Sequence, residues 1–226
     1  MPTLLLVRHG LTATSGRTLS GRTPGIHLDE RGVRQAEALR DRLRPVPLAA
    51  FVVSPLERCL ETATIVRADR ELELTIEERL GEVHYGDWTG RDLKALAKEP
   101  LWKVVQAHPS AAEFPGGEAL RDVQARAVGA VRSWNARLAR DATWALCSHG
   151  DVIKAILADA LGMHLDLFQR IHVDPCSLSV VHYTSLRPFV ARVNDVGGGV
   201  TDLLPGTGRR RRSAAAVVGG GPGGAG

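Results

Sequence analysis

Thr3-Leu4-Leu5-Leu6-Val7-Arg8-His9-Gly10, close to the amino terminus, is the stretch from which the rest of the chain is best read. Its aliphatic run shows no alternation of polarity, which describes a strand buried on both faces, as in a parallel sheet covered by helices. The first polar groups after such a strand emerge at its carboxyl end, where open α/β sheets bind ligands. A guanidinium, an imidazole and a flexible glycine placed there point to a site for an anion that the imidazole can attack. The tripeptide alone is common and needs partners.

Two further apolar runs supply them. Leu48-Ala49-Ala50-Phe51-Val52-Val53 ends in Ser54-Pro55-Leu56-Glu57-Arg58. Here Ser54 is expected as a helix N-cap, Pro55 as the first helical residue and Glu57 as the reciprocal capping residue. Arg58 then falls in the first turn, where free backbone N–H groups and the helix dipole already favour an anion. Thr143-Trp144-Ala145-Leu146-Cys147 ends in Ser148-His149-Gly150 and again leads into a helical pattern. Arg8, His9, Arg58 and His149 are thus offered at three strand ends, and such a cluster calls for something dianionic between them.

With 226 residues, 44% of them hydrophobic and only 4% aromatic, the chain suits one sizeable α/β domain with an aliphatic core. No run approaches the roughly 18 to 20 apolar residues of a membrane span, and Met1 leads into the first strand without a basic-then-apolar leader. Cys59, Cys147 and Cys176 lack metal-ligand spacing and are expected to be reduced, buried thiols of a cytoplasmic protein. The formal charge of +4 equals the arginine run 209–212, so the remainder balances to zero. No specific nucleic-acid partner is expected. Residues 1–204 are expected to form the catalytic domain, and 205–226, a Gly/Ala/Arg-rich tail, to be disordered.

Between these landmarks, Asp29 precedes a helical stripe of Val33, Ala36, Leu39 and Leu43, ended by Pro45 and Pro47. A second helix is expected from Pro55 to about Ala68, then a short strand at 72–76. A polar, irregular excursion over residues 79–117 holds short helices near Leu93 and Trp102. Leu120, Val123, Ala127, Val131, Trp134 and Leu138 mark a long amphipathic helix. Val152, Ile153, Ile156, Leu157, Ala160 and Leu161 mark another, stopped by Gly162. Two late β-like segments lie near 177–182 and 189–194. This order implies a layered sheet covered on both faces.

Arg8-His9-Gly10, Ser54-Pro55-Leu56-Glu57-Arg58 with Glu61-Thr62-Ala63, Leu80-Gly81-Glu82 with Gly86-Asp87-Trp88-Thr89-Gly90, and Ser148-His149-Gly150 together resemble the histidine phosphatase superfamily, the phosphoglycerate mutase-like group. Weaker agreement comes from Gly21-Arg22, Gln35-Ala36 and Pro115-Gly116-Gly117-Glu118. The motifs keep the family order from residue 3 to about 195. The resemblance implies a three-layer α/β/α sandwich, its sheet mostly parallel with one antiparallel edge strand. It implies that His9 becomes phosphohistidine, that Arg8, Arg58 and His149 hold the phosphoryl oxygens, and that Glu82 protonates the leaving oxygen. Gly150, Ser15, Ser20, Gly21 and Tyr85 are the further candidates for contact with phosphate or substrate. No metal or organic cofactor is expected.

The chemistry fits these roles. Phosphoryl transfer is catalysed mainly by positioning and electrostatic stabilisation, and arginine's planar fork donates two hydrogen bonds to one phosphate. His9 must be neutral to attack, and neighbouring cations disfavour its protonated form. Glu82 must carry a proton to act as an acid. Blander alternatives are Arg58 paired with Glu57 or Glu61 on its own helix, His149 as a capping residue, and Glu77, Glu78 or Asp87 in place of Glu82. His27, His84, His108, His164, His172 and His182 stay unassigned.

A phosphatase passes the phosphoryl group to water, whereas a mutase returns it to the bound substrate. The mutases resembled here use a Tyr, a Lys and paired arginines beyond the acid. This chain keeps Tyr85-Gly86, has Leu93 at the lysine position with Lys94 displaced by one, and carries Trp102-Lys103-Val104 where the arginine pair would fall. By the resemblance Ser15 falls where the family usually has Asn, in a loop one residue shorter, which weakens one phosphate contact or leaves it to water or to Ser20. The expected activity is therefore metal-independent hydrolysis of a small phosphorylated metabolite. A phosphoglycerate-type mutase and a non-catalytic binder of phosphorylated ligands are the alternatives. The substrate and the oligomeric state, a homodimer included, are not legible.

Overall fold

A computed structural model describes residues 2–198. The three aliphatic runs become β1 (Thr3–Arg8), β2 (Ala50–Val53) and β4 (Thr143–Ser148), with β3 (Leu74–Ile76) between the last two. They pair in parallel, β3 with β2, β2 with β4 and β4 with β1. Neighbouring residues on these strands face opposite layers, and both layers are filled, which is why polarity does not alternate. Leu4, Leu6, Val52, Trp144 and Leu146 enter one half of the core, while Leu5, Val7, Phe51, Val53, Ala145 and Cys147 enter the other.

The antiparallel component lies at one edge and takes two strands. β5 (Leu178–Tyr183) runs opposite to β1, and β6 (Pro188–Asp195) runs opposite to β5, giving the order β3-β2-β4-β1-β5-β6. Helices α1 (Glu30–Leu43) and α2 (Glu57–Arg67) cover one face. The other is covered by α5 (Leu120–Arg137), α6 (Gly150–Ala160) and the 79–117 excursion, which contains α3 (Leu93–Leu96) and α4 (Pro100–Ala107). The expected three-layer sandwich is the fold found.

Several local expectations change. Asp29 does cap α1, accepting from Gly32 N, but Val33 is exposed because α1 meets the core through Gly32, Ala36, Leu39 and Leu43. Leu161, expected on the α6 stripe, is also exposed beyond the helix end. Neither Ser54 nor Pro55 opens α2, which begins at Glu57 after Leu56. The Ser54 hydroxyl bonds His149 instead, and the Glu57 carboxylate accepts from Gly25 N rather than completing a capping box. The excursion is irregular as expected but not polar inside. Leu80, Val83, Trp88, Leu96, Val105 and Phe114 are buried, with Phe114 edge-on to both Tyr85 and Trp88.

Cys59, Cys147 and Cys176 are free and buried. No helix among the described residues is long and apolar enough to cross a membrane. The arginine run 209–212 and the 205–226 tail lie outside the described residues.

Candidate active site

Register brings the three motifs together. Arg8 faces Ser148 across β1 and β4, His9 N donates to Ser148 O at 3.0 Å, and Ser54 N donates to Cys147 O at 3.0 Å. The carboxyl ends of β2, β4 and β1 therefore finish level, delivering Ser54, His149 and His9 side by side, with Arg58 arriving from the first turn of α2. Thr62, one turn further along α2, locks this approach: its Oγ1 donates to Arg58 O at 2.7 Å and accepts from Gly10 N at 3.0 Å. Gly10 serves packing, since a Cβ there would lie 2.7 Å from Gly32 O at the start of α1.

The hydrogen-bond pattern sets the proton positions. His9 Nδ1 lies 2.8 Å from Gly10 O, and a carbonyl can only accept, so Nδ1 carries the hydrogen. In the neutral ring the lone pair is then at Nε2, which accepts from Arg58 Nε at 3.3 Å. Burial, then Arg58 and Arg8, hold the His9 pKa well below the ordinary imidazole value. His149 Nδ1 lies 3.2 Å from Arg58 Nη2, and a guanidinium only donates, so Nε2 bears the hydrogen given to Ser54 Oγ at 2.7 Å. Burial and the same arginine also push the His149 pKa well down. Arg58 pairs with neither Glu57 nor Glu61: its Nη2 also donates to Gly21 O at 2.8 Å. Arg8 Nη1 donates to Val173 O at 2.7 Å.

Glu82 supplies a buried carboxyl. Its Oε1 accepts from Val83 N at 3.0 Å and its Oε2 lies 3.7 Å from His149 Nδ1. Burial, followed by the charge of Asp151, raises its pKa to about 7 against the opposing pull of Arg58 and Arg8. Glu77 is bound to Arg79 and Trp134, and Glu78 and Asp87 do not line the cavity. Tyr85 donates to Asp151 Oδ2 at 2.9 Å, and Lys154 lies 3.2 Å from the other Asp151 oxygen.

A cavity opens in front of His9. Its wall includes Arg8, Arg58 and Glu82 together with Ser15, Ser20, Gly21 and Tyr85. His149 and Gly150 were expected at the phosphate too, yet the His149 ring is fully buried behind the wall and Gly150 is buried at the head of α6. Thr12, Gly16, Thr18, Leu19 and Leu93 complete the lining. Ser15 Oγ bonds Thr12 N and Thr12 Oγ1 at 3.0 Å each, Thr12 Oγ1 meets Thr14 Oγ1 at 3.1 Å, and Thr14 Oγ1 meets Ser20 Oγ at 2.8 Å. A chain of hydroxyls thus links Ser15 to Ser20 along this side of the cavity. The density of Thr and Ser just beyond the His9 strand was its sequence signal. Of the histidines left unassigned, His27 pairs with Glu61, His172 with Asp174 and His182 with Thr3.

This geometry agrees with what the chain is similar to. The model of the histidine phosphatase superfamily, branch 1, matches residues 4–196, and the chain belongs to that family. It is a histidine-phosphatase-type phosphomonoester hydrolase. Over 205 residues it is 31% identical to phosphoserine phosphatase 1 of Hydrogenobacter thermophilus, covering 86% of this chain and 92% of that one. It is 34% identical over 202 residues to bifunctional protein Rv2228c of Mycobacterium tuberculosis, covering 86% of this chain but about half (54%) of that protein's length. The solved structure of Bacillus stearothermophilus YhfR superposes with a TM-score of 0.81 at 32% identity, covering 87% of this chain and 98% of that one.

Proposed function

We propose that the chain hydrolyses a small phosphorylated metabolite, without a metal, through a phosphohistidine at His9. One observation carries this reading. Arg8 Nε and Arg58 Nη1 are buried without a hydrogen-bond partner, and both residues line the cavity beside the His9 lone pair. An unsatisfied buried donor costs about 1–3 kcal/mol, more when charged. Phosphoryl oxygens would satisfy both.

In the first step His9 Nε2 attacks phosphorus, the ester P–O bond breaks, and the leaving oxygen takes the proton of Glu82. In the second, water attacks phosphorus, its proton passes to the Glu82 carboxylate, and the P–N bond breaks with its electrons returning to Nε2. Arg8 and Arg58 hold the equatorial oxygens through both steps. His149, buried behind the wall, accepts from Arg58 Nη2 through Nδ1 and so helps to hold that guanidinium in place.

Hydrolysis is favoured over transfer back to substrate by Leu93 in the cavity wall. Among the described lining residues Arg8 and Arg58 are the cations, and in this reading both are taken up by the phosphoryl group. Beyond these and the reacting His9 and Glu82, what remains is hydroxyls, glycine, Tyr85 and leucine, a surface suited to an uncharged, hydroxyl-bearing leaving group. The reduced, buried thiols suit a cytoplasmic setting. The test is a panel of phosphorylated metabolites assayed in EDTA, with phosphate release, isomer formation and acid-labile phosphoenzyme followed together. Phosphate release with a trapped phosphoenzyme is expected. Isomer formation with little free phosphate would turn the assignment to a mutase, and tight phosphate binding without phosphoenzyme would turn it to a binder.

A further inference from the structure

The peptide that carries Glu82 is held in an unusual way. After the single turn Glu78–Leu80, residues 81–85 join neither a helix nor a sheet, so their carbonyls need partners from elsewhere. All four carbonyls from 79 to 82 are taken by side chains. Arg126 Nη1 donates to Arg79 O at 2.6 Å and to Gly81 O at 2.8 Å, and Ser148 Oγ donates to Leu80 O at 2.7 Å. Glu82 O accepts from Arg22 Nε at 2.7 Å and from Arg126 Nη2 at 3.2 Å.

The two arginines are themselves fixed by Glu118. Its carboxylate accepts from Arg126 Nε at 3.0 Å and Nη2 at 2.8 Å, from Arg22 Nη2 at 3.1 Å, and from His84 N at 2.8 Å. Each of the five N–H groups of Arg126 thereby has an acceptor. The approach of this carboxylate requires Gly117, where a Cβ would lie 2.2 Å from His84 O. The Pro115-Gly116-Gly117-Glu118 segment, which no catalytic step uses, thus has a task.

We propose that Arg126, Glu118 and Arg22 form a clamp on the main chain that sets where the Glu82 carboxyl sits, and are positioning residues for proton delivery to the leaving oxygen. This rests on the role of Glu82 as the acid. A lysine cannot replace Arg126, because a point charge with three donors cannot span the carboxylate and three carbonyls in one plane. A displacement of about 1 Å at a reacting group costs on the order of 10²-fold in rate.

The experiment compares kcat/KM for p-nitrophenyl phosphate, whose phenolate departs without a proton, with that for glycerol phosphate, whose alkoxide needs one. Glu82→Gln calibrates the full separation between the two esters. Arg126→Met is expected to lower the glycerol phosphate value on the order of 10²-fold while changing the p-nitrophenyl phosphate value within about threefold. Arg126→Lys is expected to behave like Arg126→Met, and recovery by lysine would overturn the fork geometry. Glu118→Gln and Arg22→Met carry the same readout should Arg126→Met fail to fold. Equal losses on both esters in these variants, with Glu82→Gln separating them, overturn the clamp alone. Failure of Glu82→Gln to separate them overturns the acid role and the clamp together.

Discussion

The strand-end half of the cavity and its loop half are built on different principles. Arg8 ends β1, His9 directly follows it and Arg58 stands on α2, each fixed by register, by Thr62 or by a carbonyl. Across from them, Thr12, Ser15 and Ser20 sit in irregular chain and Leu93 opens the one-turn α3, and the hydroxyls are held chiefly by one another. The first half is rigid because its backbone belongs to the core, which suits electrostatic stabilisation that must not reorganise. The second half can be altered without touching the sheet, which suits recognition of the leaving group. The chemistry is therefore expected to fail sharply with changes in the first half and to shift gradually with changes in the second.

The comparison breaks first, if at all, at His9. His9→Ala should lower p-nitrophenyl phosphate turnover in EDTA by about 10⁴-fold or more and leave no acid-labile phosphoenzyme; a modest loss would remove the nucleophile from the strand half. Arg58→Ala is expected to lower kcat by on the order of 10²- to 10³-fold, and near-normal rates in stopped-time assays would deny that half its electrostatic role. The Glu82 pKa is raised, to about 7, so the proton-bearing acid dominates below that pH and is lost above it. For an aliphatic ester kcat/KM should fall as pH rises through about 7, and Glu82→Gln should abolish that limb. An unchanged alkaline limb in Glu82→Gln would mean another group is titrating.

Smaller effects sharpen the contrast. Leu93→Ala should change the ratio of kcat/KM between a bulky and a small ester by on the order of tenfold, with p-nitrophenyl phosphate kcat little affected; a general loss of rate would show that the loop half also governs chemistry. Ser54→Ala removes the partner of His149 Nε2. It should lower stability by about 1 kcal/mol, seen as a Tm drop of about 2–4 °C. A Tm unchanged in calorimetry would mean another acceptor replaces Ser54.

What the sequence disclosed follows the same division. β1, β2 and β4 were legible because burial on both faces leaves an uninterrupted aliphatic run, and the polar residues ending each run are those that meet at the level strand ends. Ser54 misled because its local pattern matches a helix cap, whereas its partner is His149, 95 positions away. The 79–117 excursion hid its core because single turns and loops impose no period on Leu80, Trp88 and Phe114. Arg126 was invisible for another reason. Its acceptors are largely main-chain carbonyls, which every residue possesses and no motif records.

The place of β1 in the sheet has a consequence for how the enzyme fails. With β4 on one side and β5 on the other, its amides are shielded by two ladders, whereas β3 and β6 form the borders. Fraying at the borders therefore leaves the strand that leads into His9 intact. In native-state deuterium labelling, Leu4 to Val7 should be among the last amides to exchange, and their protection should track the global unfolding free energy. Warming should then leave catalysis untouched until the whole domain melts, so inactivation and denaturation share one midpoint.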